Sequence, residues 1–189
     1  MKKMMMIAAM MIAAVSANAQ NEVGQITLMP KAGINISKIT GDGDSKSKVG
    51  LVAGVEAEYG IAENFGLQFG VLYSMEGAKN DDVKLNMDYI NIPILAQYYV
   101  VKGLAVKAGI QPAFNVRGKW SLDGESGKLK DIGLEPKTFN FSIPVGLSYE
   151  YQNFVLDARY NIGVTKLIKD ADKGRNSTFA ITVGYKFAL

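Results

Sequence analysis

The strongest constraint in this sequence is a repeat of two residues, in which apolar and polar side chains alternate. From Leu51 to Tyr59 every odd-numbered residue is apolar or aromatic, whereas the even positions include Glu56 and Glu58. Strict alternation predicts β-strands whose two faces meet different surroundings. An uncharged apolar face can be followed in seven more segments, over residues 26–36, 65–75, 90–100, 104–114, 139–151, 154–164 and 179–187. The sequence therefore predicts eight strands.

The charged residues of these strands fall on the opposite face. They are Lys31, Glu56, Glu58, Lys107, Arg117, Glu150, Asp157, Arg159 and Lys186. A soluble barrel or sandwich would place apolar side chains inside and charges in water. The reverse arrangement fits a barrel surrounded by lipid, where a charge on the outer face costs about 2–4 kcal/mol at mid-bilayer. We therefore predict an all-β fold, an eight-stranded antiparallel up-and-down transmembrane β-barrel.

The lumen of such a barrel is just wide enough for side chains to fill it. Buried charges are tolerated when they are paired, so the nine charged residues are predicted to form a structural network inside the lumen. A proton or ion path along the same residues is the less favoured alternative, because a packed eight-stranded lumen has no aqueous channel.

The predicted connections alternate between long and short. Long polar segments cover residues 38–48, 76–87, 118–137 and 166–176, and short turns cover residues 61–64, 101–103 and 152–153. In an even-stranded barrel with both termini in the periplasm, the short turns are periplasmic and the long loops are exposed outside the cell.

Aromatic residues and prolines occupy particular places along these strands. Eight aromatics gather beside the short turns, where an interfacial girdle is expected. They are Tyr59, Phe65, Tyr98, Tyr149, Tyr151, Phe154, Tyr185 and Phe187. Pro30, Pro93, Pro112 and Pro144 fall inside predicted strands, where we expect local irregularity because a proline cannot donate to the ladder.

The N-terminus has the pattern of a cleaved signal peptide. Lys2 and Lys3 precede an apolar run over residues 4–15, and the small residues Ala17 and Ala19 form a cleavage pattern. The run is too short to span a bilayer. The predicted organisation is a signal peptide over residues 1–19 and an outer membrane β-barrel domain over residues 20–189, exported to the outer membrane of a bacterial cell.

Composition argues against several classes of function. The chain contains no cysteine and no histidine, which removes the usual nucleophilic thiol, general base and transition-metal ligands. Without the two leader lysines the formal net charge falls from +3 to +1, so a basic surface for nucleic acid is not expected. Asp42 and Asp44 could be read as a calcium pair, but acidic residues beside glycine are ordinary turn chemistry. We predict no enzymatic activity, no cofactor and no metal site.

Three short motifs resemble a known family. The run from Tyr89 to Leu95 (YINIPIL), the segment Lys31–Ser37 and the segment Arg159–Gly163 are similar to the PorT-like outer membrane β-barrel domain proteins of Bacteroidetes. The resemblance spans the whole mature chain and implies an outer membrane barrel, with an accessory role in protein export for some relatives. The C-terminus departs from the pattern, since Ala188 and Leu189 follow the last aromatic residue.

Two functional classes follow from this reading. The first is a structural or surface-interaction barrel, and the second is an accessory component of a protein export system; a narrow solute pore is less favoured. The expected partners are outer membrane lipid and, through the long loops, an extracellular ligand or export proteins. A monomer is expected.

Overall fold

The computed structural model describes residues 23–40, 46–80, 83–122, 125–128, 137–165 and 174–189. The predicted signal peptide and the Asp42–Asp44 pair lie outside these residues. The described chain forms the strands β1 (Ile26–Thr40), β2 (Lys48–Ala62), β3 (Phe65–Asn80), β4 (Val83–Asn91), β5 (Ile94–Val101), β6 (Leu104–Leu122), β7 (Glu125–Lys128), β8 (Phe139–Tyr151), β9 (Phe154–Gly163), β10 (Arg175–Tyr185) and β11 (Phe187–Ala188). No helix in this part of the chain is long and apolar enough to cross a membrane.

These segments close into one antiparallel barrel. β2 pairs with β3, β3 pairs with both β4 and β5, and both of these pair with β6. The order continues through β8 and β9 to β10. β1 pairs with β2 on one side and with β10 and β11 on the other, which closes the barrel. β4 and β5 together make the fourth barrel strand, β10 and β11 make the eighth, and β7 pairs back onto the end of β6. The predicted eight-stranded antiparallel barrel is confirmed, and its closure removes the free sheet edges that lipid cannot hydrogen-bond.

The two faces of the barrel differ as the alternation requires. None of the strand residues predicted to face outward is buried, and several are widely exposed, such as Leu51 at 61% and Val71 at 55%. In contrast, Glu56 is 0% exposed and Glu58 is 2% exposed. The outer surface is therefore apolar, and the polar residues are inside.

The strands extend further than the sequence pattern predicted. The sequence pattern predicts a loop over residues 76–87, but β3 continues to Asn80 and β4 begins at Val83. The two strands are paired from Leu72↔Asn91 to Asn80↔Val83. The same is true of the beginning of segment 118–137, since β6 runs to Leu122. Backbone pairing does not require an apolar outer face, so strands can continue beyond the apolar band. The short turns are two residues long, and Gln152 and Gly103 adopt left-handed φ values of 56° and 82°.

Three of the four strand prolines lie at interruptions of the ladder. Pro93 separates β4 from β5. Pro30 lies opposite the point where β10 ends, and pairing of β1 resumes with β11. Beside Pro144, the pairing of β6 with β8 is interrupted between the pairs Ala108↔Val145 and Gln111↔Ser142. The missing N–H of proline accounts for these breaks.

Candidate functional site in the barrel lumen

Five charged residues from four strands meet in the middle of the lumen. We call this group, Lys31, Glu56, Lys107, Asp157 and Arg159, the central charge layer. The Lys31 ammonium lies 3.0 Å from Glu56, the Lys107 ammonium lies 2.8 Å from Asp157, and Arg159 Nη1 lies 2.9 Å from Glu56 Oε1. All five residues are at most 5% exposed.

Further contacts tie these pairs into one network. Arg159 Nη2 donates to Glu56 Oε2 at 3.3 Å and to Asp157 Oδ2 at 3.2 Å. Gln68 donates to Glu56 at 2.9 Å and accepts from the Lys107 ammonium at 3.0 Å. Because these side chains come from β1, β2, β3, β6 and β9, they join opposite walls of the barrel and fill its cross-section.

A second group lies nearer the end of the barrel that carries the short turns, which we call the turn end. This turn-end layer consists of Glu58, Gln97, Tyr99, Glu150 and Lys186. The Lys186 ammonium lies 3.0 Å from Glu58 and 2.6 Å from Glu150, and it donates to the Tyr99 hydroxyl at 3.0 Å. Gln97 and the Tyr99 hydroxyl each donate to Glu58 at 2.9 Å. One ammonium is thus shared between two carboxylates.

At the opposite end, the loop end, one buried carboxylate is surrounded by neutral donors. Glu76 accepts hydrogen bonds from Ser74 at 2.8 Å, Asn91 at 3.4 Å and Thr178 at 3.2 Å, and also from Asn176. The Lys48 ammonium donates to the backbone oxygen of Glu76 at 2.9 Å. The sequence pattern placed Glu76 in a loop, which is wrong because β3 continues past it with its inward-facing parity intact.

Two adjoining chambers remain between these groups. The loop-side chamber is about 370 Å³, counting the open solvent at its mouth, and it is lined by Glu76, Tyr89, Asn91, Gln111, Ala113, Asn140, Phe141, Ser142, Asn161, Gly163, Thr165, Asn176 and Thr178. The central chamber is about 330 Å³, again counting open solvent, and shares Asn91, Gln111, Asn161 and Thr178 with it. Lys31, Asp157 and Arg159 also line the central chamber, so the central charge layer bounds it.

Arg117 does not belong to the lumen network, which corrects the prediction. Its side chain is 52% exposed, and its Nη1 lies 3.6 Å from Asp88 Oδ2, which also accepts a hydrogen bond from Tyr73 at 2.6 Å. A bulge explains the difference: Tyr89 pairs with Asn115 but Asp88 pairs with Arg117, so β6 has one extra residue. The extra residue reverses the alternation and turns Arg117 outward.

The predicted aromatic residues lie at the turn end with exposed or half-buried side chains. Tyr59, Tyr98, Tyr149, Tyr151 and Phe154 are between 41% and 65% exposed. Tyr185 packs between two of its neighbours, with ring centroids 5.1 Å from Phe154 and 4.7 Å from Phe187. Phe65, the first residue of β3, is half-buried.

Sequence reasoning missed the uncharged members of the lumen network. Gln68, Gln97 and Tyr99 have the same inward parity as the charged residues, and Gln68 and Gln97 are at most 2% exposed. A pattern of charges does not include them, whereas the alternation places all three on the inner face. Within the described ranges, no three histidine, cysteine, aspartate or glutamate side chains are placed to hold a metal ion.

Comparisons with known proteins agree on this architecture. The sequence profile of the family described as outer membrane protein beta-barrel domain matches residues 18–169. No curated protein matches the chain by sequence. Among solved structures, Ail, the attachment invasion locus protein of Yersinia pestis, is 18% identical with a TM-score of 0.55, over 88% of this chain and 100% of that one. Neisserial surface protein A is 18% identical with a TM-score of 0.60, over 86% and 97%. OprG of Pseudomonas aeruginosa is 12% identical with a TM-score of 0.50, over 91% and 99%.

Proposed function

We propose that this chain, which belongs to the outer membrane protein beta-barrel domain family, is a non-enzymatic, non-conducting barrel that presents its loop end at the cell surface. The chain is a small outer membrane β-barrel protein. The proposed role is structural or surface-interacting, in contact with outer membrane lipid and with an extracellular ligand, as a monomer.

The observation that carries this proposal is the central charge layer. Arg159 contacts Glu56 and Asp157 while Lys107 bridges Asp157 and Gln68, so paired side chains cross the lumen from several strands. The turn-end layer adds a second obstruction through Lys186. An ion crossing the barrel would have to displace both sets of buried ion pairs, which are held by mutual attraction in a medium of low dielectric.

The loop end supports a surface role. β3 and β4 continue as a paired ribbon to Asn80 and Val83, and β6 continues to Leu122, where it pairs with β7. Rigid scaffolds commonly carry their interaction sites on such connections. Ail, which shares this fold, has the name attachment invasion locus protein, in keeping with a surface role.

Planar bilayer recording tests the closed lumen. The purified barrel should give no stable single-channel steps, whereas a double variant Arg159→Ala and Lys186→Ala, which shortens one side chain in each layer, should increase ion leakage. Large stable channels in the wild-type protein would contradict the proposal. The predicted export signal is tested separately: N-terminal sequencing of the protein from outer membranes should begin at Gln20.

An accessory role in protein export, together with membership of the PorT-like proteins of Bacteroidetes, is the second candidate. It is supported by the run from Tyr89 to Leu95. In the barrel this run contains the buried Tyr89 and Asn91 and the break at Pro93, which are elements of the architecture. Gene deletion distinguishes the two roles: loss of secreted cargo would favour export, and detergent sensitivity with normal secretion would favour the structural role.

A further inference from the structure

The exposed surface of the barrel carries very different charge at its two ends. At the loop end, a half-buried lysine, Lys137, accompanies a set of exposed cationic side chains. The exposed cations are Lys38, Lys46, Arg117, Lys119 and Arg175. Among the acidic side chains that the structure describes, Glu63 is the exposed one, and it lies in a short turn at the opposite end. The loop end is therefore basic, although the formal net charge of the whole chain is only +3.

Three of these cations lie together on one wall of the barrel. Arg117 and Lys119 have the same parity in β6 beyond the bulge, so both face outward, and both are exposed. The backbone N–H of Asn115 donates to the oxygen of Thr138 at 2.7 Å, which brings Lys137 beside the bulge. We call Arg117, Lys119 and Lys137 the basic wall.

Strand register adds further lysines to the sheet that extends above this wall. Lys128 of β7 pairs directly with Lys119 of β6, and Lys79 of β3 pairs directly with Lys84 of β4. Like charges directly opposite one another destabilise a sheet. An anionic ligand bound at the basic wall would offset this repulsion.

Arg117 is held in place by a carboxylate that is itself covered. Asp88 is 3% exposed, and its Oδ2 lies 3.6 Å from Arg117 Nη1 and accepts a hydrogen bond from the Tyr73 hydroxyl at 2.6 Å. A guanidinium has five N–H donors, and the Arg117 side chain is 52% exposed. Donors therefore remain for a second anion, and the planar guanidinium suits the oxygens of a phosphate.

The same wall is apolar immediately below the cations. Phe114, Val116 and Phe139 are exposed on its outer face, and the rings of Phe114 and Phe139 are in edge contact with centroids 5.6 Å apart. A molecule with acyl chains and an anionic headgroup would match both surfaces at once, whereas a soluble polyanion would match only the cations.

We propose that the basic wall binds the phosphate groups of an anionic lipid in the outer leaflet of the outer membrane. The assignment to the outer leaflet rests on the proposed function, which places the loop end at the cell surface. The phosphates would contact the three cations, and the acyl chains would lie along the apolar positions of β6 and β8.

Native mass spectrometry of the purified barrel measures this binding as discrete adducts. The barrel in an amine-oxide detergent is titrated in parallel with three probes. They are lipid A carrying two phosphates, zwitterionic phosphatidylcholine, and inositol hexakisphosphate, which is a soluble polyphosphate without acyl chains. We expect lipid A to form adducts at a lower concentration than either of the others.

Neutralising the basic wall should weaken these adducts in steps. Arg117→Gln should weaken lipid A binding about fivefold, equivalent to roughly 1 kcal/mol for one cation at an anionic surface. Combining it with Lys119→Gln and Lys137→Gln should weaken binding about a hundredfold, since the three contributions add. Lys102→Gln removes an exposed cation from a short turn at the other end, so it is the matched control and should bind as the wild type does. The gel shift on heating shows whether each variant is folded.

Three outcomes would overturn the proposal. They are equal lipid A binding by the folded triple variant and by Lys102→Gln, equal binding of phosphatidylcholine and lipid A, and binding of inositol hexakisphosphate at least as tight as that of lipid A. The last outcome would indicate a site for a soluble polyanion instead of a lipid.

A separate measurement tests the orientation that the proposed function assumes. The chain has no cysteine, so Lys46→Cys at the loop end and Asn64→Cys at the turn end can each be labelled specifically. A membrane-impermeant maleimide added to intact cells should label Lys46→Cys and not Asn64→Cys. The reverse result would overturn the orientation and the outer-leaflet assignment. Lipid A adducts of the purified barrel do not depend on orientation, so the two failures are distinguishable.

Discussion

Replacing Glu56 by glutamine should destabilise the barrel more than replacing its partner Arg159 by methionine. The central charge layer contains three cations and two anions. Glu56→Gln leaves Lys31, Lys107 and Arg159 with one carboxylate between them. Breaking a buried ion pair by removing one partner costs about 3–5 kcal/mol, and we expect a loss of unfolding free energy in that range.

The opposite change leaves a better-balanced layer. In Arg159→Met, Lys31 keeps Glu56 at 3.0 Å and Lys107 keeps Asp157 at 2.8 Å, so two complete pairs remain. Methionine also occupies part of the space of the arginine side chain. We expect this variant to lose about 1–3 kcal/mol, mainly from the charged hydrogen bonds that Arg159 made.

Urea-induced unfolding in lipid vesicles, followed by Trp120 emission and by the gel shift on heating, measures both losses. Glu63→Gln, in an exposed short turn, is the matched control and should stay within about 0.5 kcal/mol of the wild type. The double variant Glu56→Gln with Arg159→Met should lose less than the sum of the single losses, since the partners are coupled. A loss for Arg159→Met equal to or larger than that for Glu56→Gln would refute the charge-balance argument.

Three further predictions test other parts of the structure by the same unfolding assay. Gly70→Ala should cost about 1–3 kcal/mol, because its Cβ would lie 2.7 Å from Glu56 Cα on the neighbouring strand; an unchanged midpoint would show that the strands can move apart. Val71→Arg, on the outer face in the middle of β3, should cost about 2–4 kcal/mol, whereas Val101→Arg beside a short turn should cost about 0–1; equal losses would contradict the assigned membrane depth. Arg117→Ala should cost at most about 1 kcal/mol, because its side chain is half exposed; a loss as large as that of a lumen residue would argue against its outward position.

The sequence predicted the strands and faces well because a strand alternates with a period of two. It predicted strand ends less well. Glu76 was assigned to a loop because the apolar alternation weakens there, although the backbone pairing of β3 with β4 continues to Asn80. It also misplaced Arg117, since a single extra residue in β6 reverses the face of every residue that follows it.

The sequence alone determined that this chain has an apolar surface outside and charges inside, because that alternation is local and each strand carries it independently. Only the closed barrel decided which charges meet. Arg159 and Glu56 are far apart in sequence, and strand pairing around the whole barrel brings their atoms to 2.9 Å. The tertiary structure likewise decides that the lumen is divided into two charge layers and a loop-side chamber. The height of an inward side chain depends on the register between strands, and neither composition nor alternation specifies that register.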